Sequence, residues 1–344
     1  MLRPFIAIFC CLLKTNDKTE VVFTETSIPR TTGVESVMKV LAAIALVLAG
    51  ADGGAATRNG GDITDTVVLN NGVEMPRMNL GTCCGSSPDA GLPGWLAEGG
   101  VGIDTAWDYH DQPNISRVLK DLAVERSTVF ITSKVPAGFG NATDCNADPD
   151  IVLRYARENL DQLGVEYVDL LLLHAPCDFS QTPVDDPTAS NQALWQGAQE
   201  ALRLNLTRAI GVSNYNVTHL TGLNSTVVPA VNQCQLSVNG SFDRPAHDDH
   251  TIAYCHQEGI VYESYGAMKG CPWNDSKTAD IAADHNKTVA QVCLRWAVQV
   301  GGAVAAGTGA DPASAKDYAK ENLGIFDFSL TNEEVDYLNH FAQQ

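Results

Sequence analysis

Four residues of this sequence have side chains that together can put a proton on an oxygen: Asp104, Tyr109, Lys134 and His174. A phenol titrates near 10, too high for easy proton exchange at neutral pH, but a neighbouring cation can lower it by about one to three units. Lys134 would supply that cation, and Asp104 would hold the ammonium charged and in place. His174 would hydrogen-bond a substrate oxygen and turn it towards the phenol. Such a set protonates an alkoxide. A carbonyl receiving hydride develops that charge, so the residues point to reduction of an aldehyde or ketone, with the hydride coming from a cofactor that side chains cannot replace. Singly, each has a plainer reading: an ordinary ion pair for Asp104 and Lys134, a loop aromatic for Tyr109, a hydrogen-bonded structural histidine for His174.

Convergence depends on where the elements carrying these residues end. Tyr167-Val-Asp-Leu-Leu-Leu-Leu-His-Ala-Pro176 is nearly unbroken in its apolar run, which suits a strand buried on both faces of a parallel sheet. Pro176 cannot continue a ladder, so His174 sits where strand hands over to loop. Asp104 closes a second run, Gly102 to Ala106, with Tyr109 on the loop beyond, and Lys134 closes a third, Val129 to Val135. The first run is bounded as a strand at Asp169–Ala175, and further strands are read at Met78–Thr82, Arg208–Asn214, Ala230–Leu236, Ile260–Met268 and Ala303–Gly309, eight in all. Helical patterns fall between them at Asp150–Leu163, Asn191–Leu204, Thr251–Gln257 and Thr288–Val300, three of them ended by a glycine, Gly164, Gly259 and Gly301. Eight strand–helix units make an α/β fold of the (β/α)8 TIM barrel type, whose chemistry lies at the C-terminal strand ends. A doubly wound sheet is the competitor, but Gly81-Thr-Cys-Cys-Gly85 lacks the phosphate-turn spacing. Ahead of the barrel, Thr66 to Pro76 reads as an N-terminal β-hairpin around Asn71-Gly72 that plugs one end.

The chain has 344 residues, 44% of them hydrophobic, enough for one large core in residues 65–344 preceded by a leader, residues 1–64. Its net charge of −19 and lack of a basic stripe argue against nucleic acid as a partner. No run reaches the roughly 18 apolar residues of a membrane span. The leader holds two apolar patches, Phe5 to Leu13 and Val40 to Ala51, neither of them core. Met38-Lys39 followed by VLAAIALVLAGADGGAA has the build of a secretory signal peptide, and translation could begin at Met38; the plainer reading is a flexible tail. Asn-x-Ser/Thr acceptors occur at Asn114, Asn141, Asn205, Asn216, Asn224, Asn239, Asn274 and Asn286, all read as lying between periodic segments, which favours a glycoprotein on the secretory route. Of ten cysteines, eight lie in the domain and permit disulfides; Cys234, Cys255 and Cys293 occupy apolar positions that favour buried free thiols. His247-Asp-Asp-His250 and the His174-x-x-Cys177 spacing lack a full ligand set, so no metal is expected.

Residues from about Val67 to Phe341 resemble the aldo-keto reductases. The likeness is carried in order by LNNGVEMP (69–76), GIDTAWDY (102–109), ITSK (131–134), LGVEYVDLLLLHAP (163–176), RAIGVSNYN (208–216), PAVNQCQL (229–236) and ENLGIFDFSLTNEE (321–334). The resemblance implies a (β/α)8 barrel that binds NADPH across its strand ends, with NADH possible. It implies a catalytic tetrad of Asp104, Tyr109, Lys134 and His174. It implies further that Ser213, Asn214 and Gln233 bind the nicotinamide carboxamide, that Tyr265 stacks on the ring, and that Thr308, Glu321 and Asn322 meet the adenosine side. The partner would be a small-molecule carbonyl substrate; oligomeric state is left open. Departures accompany the likeness. Tyr318 falls where an arginine usually clamps the 2′-phosphate, leaving Lys316 or Lys320 to serve. Cys83 and Ala175 stand where tryptophans often do, and the chain stops at Gln344 without a long closing loop, so a wide pocket with broad aldehyde and ketone acceptance is expected. The alternative is a barrel that binds cofactor without turnover and acts as a redox-sensing or interaction subunit.

Overall fold

The computed structural model describes residues 6–15, 18–27, 65–138, 144–180, 183–240 and 248–341. The chain divides into two compact units, Met1–Asn59 and Gly60–Gln344. In the first, strands β1 (Ile6–Thr15) and β2 (Lys18–Ser27) pair antiparallel. From Ile6 on, the leader's first apolar patch therefore lies in a strand, which its composition did not suggest. The second patch, with the signal-like segment, lies outside the described residues.

The second unit opens with the hairpin, β3 (Thr66–Val68) against β4 (Glu74–Pro76). Gly72 has φ +86°, a conformation open to glycine at little cost, which lets the two arms reverse tightly. Leu69 and Met75 pack against Phe130, Leu170, Val231 and Ala303. Phe130 and Val231 are the first residues of their strands, so the hairpin plugs the end where strands begin and leaves the other end for the site.

Eight parallel strands close the barrel in chain order: β5 (Met78–Gly81), β6 (Gly102–Asp104), β7 (Phe130–Val135), β8 (Val168–Leu173), β9 (Thr207–Ser213), β10 (Val231–Gln235), β11 (Val261–Tyr265) and β12 (Gly302–Ala306). Every residue of β8 is buried, as its leucine run requires. Around the barrel, the described residues form helices α1 (Pro88–Ala97), α2 (Gln112–Asp121), α3 (Asp150–Leu163), α4 (Pro187–Arg203), α5 (Val217–Gly222), α6 (Asp249–Glu258), α7 (Ser276–Asp284), α8 (Val289–Val300), α9 (Pro312–Leu323) and α10 (Asn332–Asn339). Gly164 closes α3 with φ +66°. α4 starts four residues before its apolar pattern does, because Asp186 caps the Ala189 amide and Pro187 takes the first helical turn. Thr288 and Gln291 form a reciprocal capping box that starts α8.

Two of the sequence expectations fail here. Asn114 lies inside the first turn of α2, not between periodic segments. Asn216 caps α5, and Asn141 lies outside the described residues. Cys293 is not a free thiol. The loop after β11 brings Cys271 over α8, and the two cysteines bridge with their Cα atoms 5.9 Å apart. Cys145 bridges Cys177 and Cys83 bridges Cys84. Cys234 and Cys255 remain buried free thiols, with burial raising both pKa values, that of Cys255 to about 12.

Candidate active site

The tetrad assembles where β6, β7 and β8 end. Asp104 is the last residue of β6, Lys134 the last but one of β7, and His174 the first beyond β8. After β6 the chain makes a 3-10 turn over Trp107–Tyr109 and leaves through His110 in the left-handed region, φ +55°. That turn brings Tyr109 back over the rim. Lys134 Nζ donates to Asp104 Oδ1 at 2.7 Å, to the Thr105 carbonyl at 3.0 Å and to the Tyr109 hydroxyl at 3.4 Å. Three donors meet three acceptors, which is what a fully buried ammonium needs. Burial works to lower the Lys134 pKa, but the Asp104 charge and hydrogen bond, with help from Tyr109, outweigh it and the net shift is upward. Lys134 is a fixed cation.

Tyr109 corrects the expectation of an acidified phenol. Burial, with the charges of Asp104 and Asp111, raises its pKa against the lowering effects of the Lys134 charge and hydrogen bond, and the net shift is upward. The phenol is therefore protonated at neutral pH, which is the state a proton donor requires. Its ring meets His174 edge to face, with centroids 5.6 Å apart. Burial lowers the His174 pKa below the ordinary 6.5, against the raising effect of Asp108, so the imidazole is neutral at pH 7.

Two carboxylates escaped the sequence reading. Asp108 Oδ2 lies 2.8 Å from His174 Nδ1. Glu263, on β11 and fully buried, accepts from Asn79 Nδ2 at 2.7 Å and from Gln233 Nε2 at 2.8 Å. Gln233 Nε2 also donates to Asp104 Oδ2 at 2.7 Å, so one amide joins two carboxylates. Burial, and after it the charge of Asp104, raises the Glu263 pKa to about 7. The available signals were a carboxylate next to Tyr109 and a glutamate inside an apolar strand; neither names its partner.

The residues implied for cofactor binding divide. Tyr265 donates its hydroxyl to Asn214 Oδ1 at 2.8 Å, and Asn214 Nδ2 donates to the His174 carbonyl and to Ser213 Oγ, each at 3.0 Å. These three residues form one cluster beside the tetrad at the ends of β9 and β11. The buried Gln235 Oε1, paired in register with Tyr265, has no hydrogen-bond partner. A half-exposed phenol ring beside an orphaned amide oxygen fits a nicotinamide and its carboxamide. Gln233 joins the cluster through its backbone carbonyl, which accepts from Ser213 Oγ at 2.7 Å and from the Asn214 amide at 2.9 Å, while its side chain gives both amide protons to Asp104 and Glu263. Thr308 is buried, and its Oγ1, also without a partner, lies beneath α1 where a Cβ on Gly91 would come within 2.3 Å. Asn322 Nδ2 reaches the Gly307 carbonyl at 3.4 Å, beside Thr308. The Glu321 carboxylate accepts from Thr288 Oγ1 instead of facing this loop alone. Tyr318 is exposed, and Lys316 pairs with Glu98 at 3.5 Å. Among the described residues no group of three or more His, Cys, Asp or Glu is placed to hold a metal ion, and no helix is long and apolar enough to cross a membrane.

Comparison with known proteins agrees with this geometry. The pattern of the Aldo/keto reductase family matches residues 95–343. The chain belongs to that family. It is 32% identical over 282 residues to an aldo-keto reductase of Mycobacterium sp. (strain MCS), covering 80% of this chain and 89% of that one. It is likewise 32% identical over 286 residues to the glyoxal reductase of Bacillus subtilis (strain 168), covering 80% and 92%. Among solved structures, a Bombyx mori aldo-keto reductase in complex with NADP superposes with a TM-score of 0.67 at 28% identity, covering 81% of this chain and 92% of that one. Where the resemblance to the family puts a tryptophan after the first barrel strand, this member has Cys83, part-buried and bridged to the exposed Cys84. Ala175, the other replacement, is fully buried and forms no wall.

Proposed function

We propose that this chain reduces aldehydes and ketones to alcohols, with NADPH as hydride donor and NADH as the second choice. The observation that carries the reading is Lys134 Nζ, held at once by Asp104 at 2.7 Å and by the Tyr109 hydroxyl at 3.4 Å. Ser213, Asn214 and Tyr265 would hold the nicotinamide ring, and the bound cofactor supplies the hydride. Tyr109 donates its proton to the carbonyl oxygen as charge develops there. An alkoxide is far more basic than a phenolate, so a protonated phenol of raised pKa still donates downhill. Lys134 then stabilises the tyrosinate until solvent returns the proton. Asp104, tied to Gln233, keeps the ammonium aimed at the phenol. Broad acceptance of carbonyl substrates is part of the proposal, supported by the missing indole walls.

Loss of NADPH absorbance with a generic aldehyde tests the reading, with Tyr109→Phe as its control. Removing the donor should cost about 10²- to 10⁴-fold in kcat. Turnover unchanged in Tyr109→Phe would refute the mechanism, and nucleotide binding without turnover in the parent would refute the activity. We also place the protein on the secretory route, a proposal supported by the signal-like leader, the acceptor asparagines and three disulfides. A mass decrease on treatment with an N-glycosidase is the expected result.

A further inference from the structure

Asp108 and Tyr109 are consecutive in one 3-10 turn yet serve different partners. Tyr109 goes to Lys134; Asp108 goes to His174 Nδ1, at 2.8 Å. The histidine is pinned on three sides. Its amide donates to the Val135 carbonyl at 3.1 Å, its own carbonyl accepts from Asn214 at 3.0 Å, and its side chain is only 9% exposed. A carboxylate accepts hydrogen bonds and cannot donate them, so this contact puts the hydrogen on Nδ1. In a neutral imidazole the other nitrogen then carries a lone pair.

We propose that Asp108 is a positioning residue that locks His174 in its Nδ1–H tautomer, so that Nε2 accepts from a substrate hydroxyl when the ring is neutral and donates to a substrate carbonyl only when the ring is protonated. The inference rests on the carbonyl-reductase reading and deepens it. In reduction, hydride adds to the carbonyl carbon from the reduced nicotinamide, the C=O π pair moves to oxygen, and Tyr109 gives that oxygen its proton. The oxygen needs donors, and a neutral Nδ1–H imidazole has none to add. In the reverse reaction the alcohol's one hydroxyl proton returns to the Tyr109 phenolate as hydride leaves the carbon, and the neutral imidazole takes no part in that transfer. His174 protonation therefore favours reduction, by adding the Nε2–H donor that the neutral ring lacks. The charged groups acting on the ring are Asp108 and Asp104 from the β6 side and Lys134 from β7, with the Tyr109 ring against its edge. Burial and Lys134 push the ring towards neutral, whereas the two aspartates favour the cation.

Two measurements decide the matter. Imidazole ¹⁵N spectra of the intact protein at pH 7.5, assigned with a His174→Gln variant, should show His174 Nδ1 protonated and pyrrole-like and Nε2 pyridine-like. Asp108→Asn, whose amide can donate to a bare Nδ1, should populate the opposite tautomer. Its reduction rate at pH 7.5 should rise about three- to tenfold, the worth of one hydrogen bond to the carbonyl. The gain in the parent's reduction as pH falls from 7.5 to 5.5 should flatten in the variant. A pyridine-like Nδ1 in the parent overturns the proposal, and so does an Asp108→Asn variant with unchanged tautomer and pH profile. The spectra need no turnover, so a protein inactive on every carbonyl would overturn the reductase reading while the tautomer is still read directly.

Discussion

Replacing Glu263 with glutamine should make the barrel more stable at alkaline pH and remove part of its pH dependence. The carboxyl is fully buried, and its pKa stands at about 7 where an ordinary glutamate lies near 4.5. The folded state therefore binds this proton more tightly than the unfolded chain does. Stability from this group is complete below pH 4.5 and is lost as pH rises through 7. A difference of about 2.5 units corresponds to about 3 kcal/mol at pH 8. Glutamine stays neutral and avoids that loss, but it does not fit without cost. Glu263 accepts from two amides, Asn79 Nδ2 and Gln233 Nε2, and a glutamine can accept only at its oxygen. Its NH₂ would face one of those donors, forfeiting about 1 kcal/mol of hydrogen bonding, unless Asn79 offers the oxygen that now lacks a partner. The net expectation is a variant about 2 kcal/mol more stable at pH 8 and about 1 kcal/mol less stable at pH 4.5. For a barrel of this size, the alkaline gain amounts to about 4 °C in melting temperature. Thermal melts of parent and Glu263→Gln at pH 4.5, 6 and 8 give the test as a difference, which cancels every other titrating group. A difference that does not change with pH would refute the claim that this carboxyl carries the proton.

Lys134→Met should cost about 3 to 5 kcal/mol of stability, because Asp104 stays buried beside Glu263 without its cation. The double variant Asp104→Leu/Lys134→Met should regain much of that stability in denaturant titration yet remain inactive. Since burial raises the Tyr109 pKa, kcat/KM for carbonyl reduction should hold past pH 10 before falling as the phenol ionises; a basic limb near pH 8 would contradict the protonated-donor reading. The Cys271–Cys293 bridge spans 22 residues and should contribute about 3 kcal/mol through the unfolded chain, read as the stability lost in Cys271→Ser/Cys293→Ser. Reduction of the Cys83–Cys84 bridge should leave stability nearly unchanged by the same mechanism, because it joins neighbours and closes no loop.

The barrel was legible because each strand had its own local marker. The leucine run of β8, the Asn71-Gly72 turn and the glycine after α3 act within a few residues, and such signals survive in a one-dimensional reading. Strand ends were less legible: Ile260 to Met268 reads as one strand with apolar residues at both ends, yet β11 stops at Tyr265. Beyond that point Gly266 takes φ +73° and the chain turns out into a loop. Cys293 shows the same limit in another form. Its helical position is apolar and its partner lies 22 residues upstream, so only the path of the loop after β11 decides between thiol and disulfide.

The candidate site divides along the same line. Identity and order marked Asp104, Tyr109, Lys134 and His174, because strand ends gather at one rim whatever fills the pocket. What they could not mark was the sign of the field there. A sequence reading that places Lys134 beside Tyr109 expects an acidified phenol, since it counts the cation and leaves out the barrel's low dielectric and the other charges. The structure sets Lys134 among Asp104, Asp111 and Glu263, and burial together with the charges of Asp104 and Asp111 outweighs the lysine at the phenol. Gln233 makes the same point. Its position suggested a ligand contact, but Glu263 on the adjacent strand, two sheet residues before Tyr265, takes one of its amide protons and Asp104 the other. A buried glutamate on a neighbouring strand thus helps make this amide a brace for the carboxylate that holds Lys134, and only the register of β10 against β11 reveals it.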